Sequence, residues 1–82
     1  MPWVVYILQC SDDTFYTGAT TDLKHRLQAH NAGLGSAYVR SRKPARIVHT
    51  EICKTRSSAL KRECEIKFLT RRQKHVLIRR HG

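Results

Sequence analysis

The sequence predicts an α+β domain with a small, mostly antiparallel sheet covered by helices. Three observations lead there: two short β-rich runs near the start separated by turn residues, a third such run after Pro44, and helix-period segments between and beyond them. The order is strand, strand, helix, strand, helix, helix. At 82 residues, the chain reads as one domain over residues 1–82, able to bury roughly 60% of its unfolded surface in a single core.

Trp3 to Leu8 is an apolar, β-branched and aromatic run, read as the first strand. Ser11-Asp12-Asp13-Thr14 is polar turn chemistry, and Phe15 to Ala19 reads as the return strand of a hairpin. Thr20, Thr21 or Asp22 can cap a helix running to about Asn31, stopped by Gly33 and Gly35. Residues 36–43 are short and basic and fit a helical turn. Pro44 breaks the chain before a third strand, Arg46 to Ile52. Ser57 or Ser58 opens a longer helix to about Leu69, and Arg72 to Arg80 forms a last one around Val76-Leu77-Ile78. No repeat, low-complexity run or linker interrupts this order.

Composition narrows the function classes. Hydrophobic residues make up 40% of the chain, too many for a disordered tail. No run approaches the ~18 apolar residues of a membrane span. The start, Met1-Pro2-Trp3-Val4-Val5-Tyr6, lacks a basic leader and reads as strand, so a cytoplasmic protein is expected. Cys10, Cys53 and Cys64 are widely spaced and form no Cys-x-x-Cys or Cys/His cluster. They are expected to be reduced, partly buried packing thiols, with neither a zinc site nor a disulfide framework.

Charge is the first functional signal. Sixteen Lys and Arg against six Asp and Glu give +10. The first 22 residues carry −3, through Asp12, Asp13 and Asp22, which leaves +13 on the remaining sixty. Such a field attracts polyanions. Without a long amphipathic basic helix or a lipidation motif, nucleic acid is a better fit than a membrane or an acidic protein.

Tyr6 and Tyr16 share a sheet face if the hairpin register pairs Tyr6 with Gly18 and Leu8 with Tyr16, and are separated in an odd-sum register. They read as half-buried packing residues or as site residues. Gly18 weakens its strand, which hints at close approach to its backbone. On the first helix Leu23, Leu27 and His30 form one stripe with Arg26 at its flank, while Lys24 points to solvent. Arg26 and His30 are either boundary residues or a guanidinium and imidazole presented together to a phosphate. On the later helix Glu63 falls inside an apolar arc of Ala59, Leu60, Cys64, Ile66 and Phe68, with Lys61, Arg62 and Glu65 to solvent. A carboxylate there is costly unless paired. It either pairs with Lys67 or binds a hard divalent cation such as Mg²⁺. In the loop Tyr38, Arg40, Arg42 and Lys43 either form a solvated basic segment or track a backbone and stack a base.

Val4-Val5-Tyr6, Tyr16-Thr17-Gly18 ten residues on, Arg26, His30, and Glu63 before Ile66-Lys67 together resemble the GIY-YIG endonuclease superfamily. The likeness spans about residues 3–78 and is greatest to its small stand-alone bacterial members. The resemblance implies a three-stranded antiparallel sheet flanked by helices and a metal-dependent phosphodiesterase using Mg²⁺ or Mn²⁺. It implies that Tyr6 is the general base or proton relay and that Tyr16 orients water or phosphate. Arg26 would stabilise the phosphate, His30 lie within reach of the nucleophile, and Glu63 hold the metal. Lys24, Tyr38, Arg40, Arg42, Lys43 and Lys67 are the candidate contacts to nucleic acid, DNA before RNA. Ala19 stands where some repair and homing relatives carry lysine. No additional domain selects a target, so cleavage selective for structure or single strands is expected, or target choice through a protein partner. An inactive nucleic-acid-binding module is the alternative; a basic scaffold for acidic proteins would explain the charge but not Glu63.

Overall fold

The most apolar strand lies in the middle of the sheet. In the computed structural model, which describes residues 2–81, the chain runs β1 (Trp3–Gln9), β2 (Phe15–Thr20), α1 (Leu23–Asn31), α2 (Ala37–Arg40), β3 (Arg46–Cys53), α3 (Arg56–Lys67) and α4 (Arg71–His81). The three strands pair antiparallel in the order β2-β1-β3. β1 is nearly continuous in apolar residues because both its faces are covered, the pattern of a buried strand. Tyr6 and Leu8 pack with Cys10, Val39 and Ala45 on the face that α1 and α2 cover. Val5 and Ile7 pack with Ala59 and Ile66, backed by Leu77 and Ile78, on the face that α3 and α4 cover.

The hairpin register pairs Tyr6 with Gly18 and Leu8 with Tyr16. Both tyrosines therefore share the α1 face, as the even-sum alternative requires. On the other edge the β1–β3 pairing shifts between Ile7 and Leu8, from Ile7 opposite His49 to Leu8 opposite Ile47. One extra residue on β3 lets Val48 serve the Ile7 side and Ile47 the Tyr6 side.

Helix ends follow local chemistry. Asp22 caps α1 by accepting from the His25 amide at 3.1 Å. α1 stops where Gly33 takes φ of 82°, with Leu34 N–H donating to Ala29 O and Gly33 N–H to His30 O, a Schellman closure. α3 starts earlier than its serines suggest. Thr55 is its cap and Ser58 the reciprocal partner of a capping box, since Ser58 Oγ accepts from the Thr55 amide at 3.3 Å and Thr55 Oγ1 from the Ser58 amide at 3.1 Å. Thr70 and Gln73 exchange the same pair of bonds, at 3.1 and 2.8 Å, ahead of α4.

α3 also turns differently from the sequence expectation. Ala59 and Ile66 are fully buried, but Leu60, Cys64 and Phe68 are exposed, Phe68 at 83%. The fully buried face is thus limited to Ala59 and Ile66, far narrower than the wheel suggests. Arg62, expected in solvent, faces β3 and forks onto Glu51, with Nε to Oε1 at 2.6 Å and Nη2 to Oε2 at 3.0 Å. The buried His49 meets Glu51 Oε2 at 2.7 Å. The cysteines are free: Cys10 is buried and Cys53 half-buried, whereas Cys64 lies exposed on this outer stripe.

The Glu51–Arg62 fork ties α3 to the sheet and has a pH signature. The Arg62 guanidinium first, then His49, hold Glu51 down from its ordinary 4.5 to about 2. A depressed carboxylate stabilises the fold fully above about pH 4.5, and that contribution is lost as pH falls towards 2. Glu51→Gln should therefore cost on the order of 2 kcal/mol in urea unfolding at pH 7. The gap from the parent should close as pH is lowered from 4.5 towards 2; a gap constant with pH would assign Glu51 a packing role.

Candidate active site

The candidate site forms where Tyr6 crosses the edge strand. β2 is the outer strand, and at Gly18 it offers no side chain opposite Tyr6. A Cβ placed there would lie 2.6 Å from Tyr6 Cζ and closer still to the hydroxyl. The missing Cβ is therefore a steric requirement: the phenol lies across the backbone of β2. Its ring is 1% exposed.

The hydroxyl ends against α1. Tyr6 Oη lies 3.1 Å from His30 Nε2, with the donor set by the imidazole tautomer. His30 is fully buried, and its Nδ1 has no hydrogen-bond partner. A Cβ on Gly35 would sit 2.8 Å from His30 Cε1 and Cγ, so the loop backbone closes over the imidazole. Gly35 thus does more than end a helix. Tyr16 packs edge-on to His30 with ring centroids 5.2 Å apart, and Tyr6 does so at 6.1 Å.

Two protonation preferences follow. Burial pushes the Tyr6 hydroxyl above its ordinary 10.0, the Arg26 guanidinium opposes this, and Tyr16 and Glu63 add to the rise. Burial first, then the positive charge of Arg26, hold His30 below 6.5. At neutral pH the pair is an uncharged phenol beside an uncharged imidazole. The same influences place Arg26 on α1 and Glu63 on α3 within electrostatic range of Tyr6 Oη, although the helices cover opposite sheet faces.

Glu63 is the acidic element of the site. Its side chain is 17% exposed and its Oε2 pairs with Lys67 Nζ at 2.9 Å, an i, i+4 bridge. Of the two alternatives raised by the sequence, the structure forms the Lys67 pair, and the Glu63 charge is felt at Tyr6. Lys67 Nζ also lies within electrostatic range of Tyr16. Among the described residues no group of three His, Cys, Asp or Glu side chains could cage a metal ion. The donor chemistry suits a Mg²⁺-like ion shared with substrate, since such ions take one or two carboxylates and complete their shell with water and phosphate oxygens.

The structure gathers Tyr6, Tyr16, Arg26, His30, Glu63 and Lys67. The remaining candidates lie apart from the hydroxyl. Lys24 and Lys43 are exposed, and Arg40 Nε donates to Gly33 O at 3.2 Å. Tyr38 stacks on Tyr16 at 6.1 Å between centroids, and the Arg42 guanidinium carbon lies 4.0 Å from the Tyr38 centroid. Arg42 also bonds Asp12 Oδ2 at 3.0 Å and Tyr38 O at 2.9 Å. A base stacking on Tyr38 has to share the ring with these neighbours. The supporting contacts made by Asp12, Gly35 and Asn31, which brackets Ala45 through two backbone bonds of 3.1 and 2.8 Å, were not signalled by sequence, which read Asp12 as a turn residue and Gly35 as a helix stop. Each acts on a backbone or loop distant in the chain, and only the paired glycines 33 and 35 marked that loop.

Comparison with known proteins agrees with this geometry. Residues 2–75 match the family described as the GIY-YIG catalytic domain. The chain belongs to the GIY-YIG family. Its relatives include a UPF0213 protein of Haloquadratum walsbyi, 53% identical over 73 residues that span 89% of this chain and 82% of that protein. A UPF0213 protein of Syntrophus aciditrophicus is 47% identical over 78 residues, 94% of this chain and 90% of that one. The solution NMR structure of a UPF0213 protein from Bacillus halodurans superposes with a TM-score of 0.66 at 41% identity, covering all of this chain and 87% of that one. A second NMR structure, of a protein from E. faecalis, gives 0.63 at 45% identity over 90% of this chain and 79% of that one. Family membership points to a nuclease-type catalytic domain. Among the described residues no helix is long and apolar enough to cross a membrane.

Gly18→Ala tests the crossing. The added methyl should force the Tyr6 ring aside, costing about 1–3 kcal/mol in thermal or urea unfolding and shifting the His30 imidazole resonances. Unchanged stability and resonances would mean the ring relocates freely.

Proposed function

We propose that this GIY-YIG protein is a divalent-metal-dependent endonuclease that hydrolyses DNA phosphodiester bonds, selecting structure or single strands rather than sequence. The observation that carries this reading is the buried Tyr6 hydroxyl, 3.1 Å from His30 Nε2, with Arg26 and Glu63 in electrostatic range of the same oxygen. A surface evolved only to attract a polyanion needs cations, and has no use for a buried, uncharged phenol–imidazole pair.

In this mechanism the protein's own groups manage a proton. The depressed pKa of His30 leaves it neutral, and in the tautomer with hydrogen on Nδ1 its Nε2 accepts from Tyr6. As Tyr6 takes a proton from the attacking water, it passes its own to His30, so no isolated phenolate forms in the buried site. The water oxygen bonds to phosphorus as the bond from phosphorus to the leaving sugar oxygen breaks. That oxygen takes a proton from solvent, and the proton held on His30 returns through Tyr6 to solvent as product leaves, restoring both groups. Arg26 offers a planar, permanently charged donor to the phosphoryl oxygens. Tyr16, packed on His30, orients the phosphate or the water. Glu63 would hold Mg²⁺ or Mn²⁺, which supplies Lewis-acid stabilisation of charge on the phosphate. Lys67 would then release Glu63 and turn to the incoming backbone. Lys24, Arg40 and Lys43 supply further positive charge for the strand, as do Arg42 and Tyr38 where their mutual contact leaves them accessible.

One observation favours the second reading, an inactive nucleic-acid-binding module. Lys67 already neutralises Glu63 at 2.9 Å, which a purely structural carboxylate would also welcome. The readings part when purified protein is incubated with end-labelled single-stranded, duplex and branched DNA, with and without Mg²⁺ or Mn²⁺. Metal-dependent cleavage is expected, abolished in Glu63→Ala with binding largely retained. Binding without cleavage under either metal would establish the module.

The relay makes two further predictions. Tyr6→Phe should lower turnover by roughly 10²–10⁴-fold, the usual worth of a positioned acid–base group, with little effect on stability. Because His30 accepts only when neutral, turnover should fall on the acid side through a pKa below 6.5, and His30→Gln should remove that limb. Turnover unaffected by Tyr6→Phe would take Tyr6 out of the chemistry.

A further inference from the structure

Leu60 and Cys64 of α3 and its C-cap residue Phe68 follow one another four residues apart, and all three are exposed: Leu60 at 44% and Phe68 at 83%. At about 100° per residue they form one stripe. Lys67 borders it on the side of Glu63, and Lys61 borders it on the other. Both lysines are exposed, and Arg71 and Arg72 follow directly after the turn beyond Phe68. The stripe therefore starts at the rim of the candidate active site, whose Glu63 is an i+3 neighbour of Leu60 and an i−4 neighbour of Lys67.

Exposed apolar rows of this kind mark a binding surface when they are contiguous. The choice of occupant follows from the borders. A protein segment docking on an apolar helix face flanked by lysines would have to bring acids on both sides. An unpaired nucleic-acid strand brings apolar base faces and a continuous line of negative charge together. A duplex keeps its base faces stacked inside and cannot use the stripe.

We propose that the Leu60–Cys64–Phe68 stripe is a stacking platform for unpaired bases of the strand leaving the Glu63 site, with Phe68 as its principal stacking residue. The proposal rests on the nuclease reading for its direction of the strand, and supplies the means by which single-strand selectivity arises. Phe68 acts on strand affinity and not on the reacting phosphate. Duplex substrates lose that contribution and are held by charge alone.

The test measures binding by fluorescence anisotropy, in EDTA, of a labelled oligothymidylate and of an abasic strand with the same number of phosphates. Phe68→Ala should weaken oligothymidylate binding by roughly tenfold and leave the abasic strand unaffected. Phe68→Trp should restore affinity, with tryptophan emission quenched by oligothymidylate but not by the abasic strand. Equal weakening on both strands, or none on either, would overturn the platform. So would unchanged strand binding accompanied by altered sedimentation of Phe68→Ala, which would assign the stripe to contact between copies of the chain. The two readings fail separately. Base-dependent binding without metal-dependent cleavage would leave the platform and remove the nuclease, and cleavage with base-independent binding would do the reverse.

Discussion

Everything chemically notable in this fold depends on the passage of the Tyr6 ring over Gly18. A strand side chain ordinarily stands up from the sheet and packs on the helix above it. Tyr6 instead leans across its neighbour, because the backbone of β2 carries nothing at that point, and so its hydroxyl arrives beside α1. That displacement joins elements that the two-faced architecture otherwise keeps apart. Arg26 and His30 come from the helix on one face and Glu63 from the helix on the other, and the Tyr6 hydroxyl lies within electrostatic range of both Arg26 and Glu63. A wider sheet, or a side chain at position 18, would leave a phenol in a core and a carboxylate on a surface.

The remaining architecture keeps that junction stiff. β1 is gripped from both faces by apolar contacts, so its register with β2 cannot slip by one residue without turning Tyr6 into the opposite core. α3 has only Ala59 and Ile66 fully buried, a narrow footing for a helix of twelve residues. The Arg62–Glu51 fork supplies a second attachment on the opposite flank of the Ala59–Ile66 line from Glu63. With one edge bonded to β3 and the bottom packed on β1, rotation about the axis is restrained, and Glu63 faces β2. The cost of this arrangement is visible on the outer side of the helix, where Leu60, Cys64 and Phe68 have no core to enter.

Much of this was legible in the residues, and what was not has physical causes. The strand and helix order followed from periodicity and turn chemistry, and the glycine in Tyr16-Thr17-Gly18 rightly suggested a close approach. The gathering of Tyr6, Tyr16, Arg26, His30 and Glu63 came from the resemblance, since periodicity alone left the tyrosines' register and the role of Glu63 open. The helix wheel failed for α3 because it counts apolar residues without knowing how wide a face the sheet can cover. Here the sheet covers only Ala59 and Ile66 fully, and the next side chain on one flank is an arginine bonded to β3. The start of α3 was misjudged because Thr55 and Ser58 form a capping box with serine in place of the usual glutamate or glutamine. Gly35 and Asn31 were silent because their partners, His30 and Ala45, are brought to them only by the folded loop.

The protonation pattern is the last consequence of burial, and it constrains any chemistry the site performs. Tyr6 and His30 are displaced in opposite directions by the same loss of solvent, the phenol upward and the imidazole downward. Burial alone would make each inert: a phenol that will not ionise and an imidazole that will not charge. Sharing one hydrogen bond changes that, because a proton can move through the pair with charge appearing only at its ends. One end is His30, whose Nδ1 has no partner to stabilise a cation and which sits in the field of Arg26. An imidazolium there is disfavoured relative to the neutral ring. The other end is the buried Tyr6 hydroxyl, within electrostatic range of Arg26 and Glu63. For the nuclease proposed above, the arrangement favours a relay that resets over a base that stays ionised, carried by two buried, uncharged groups.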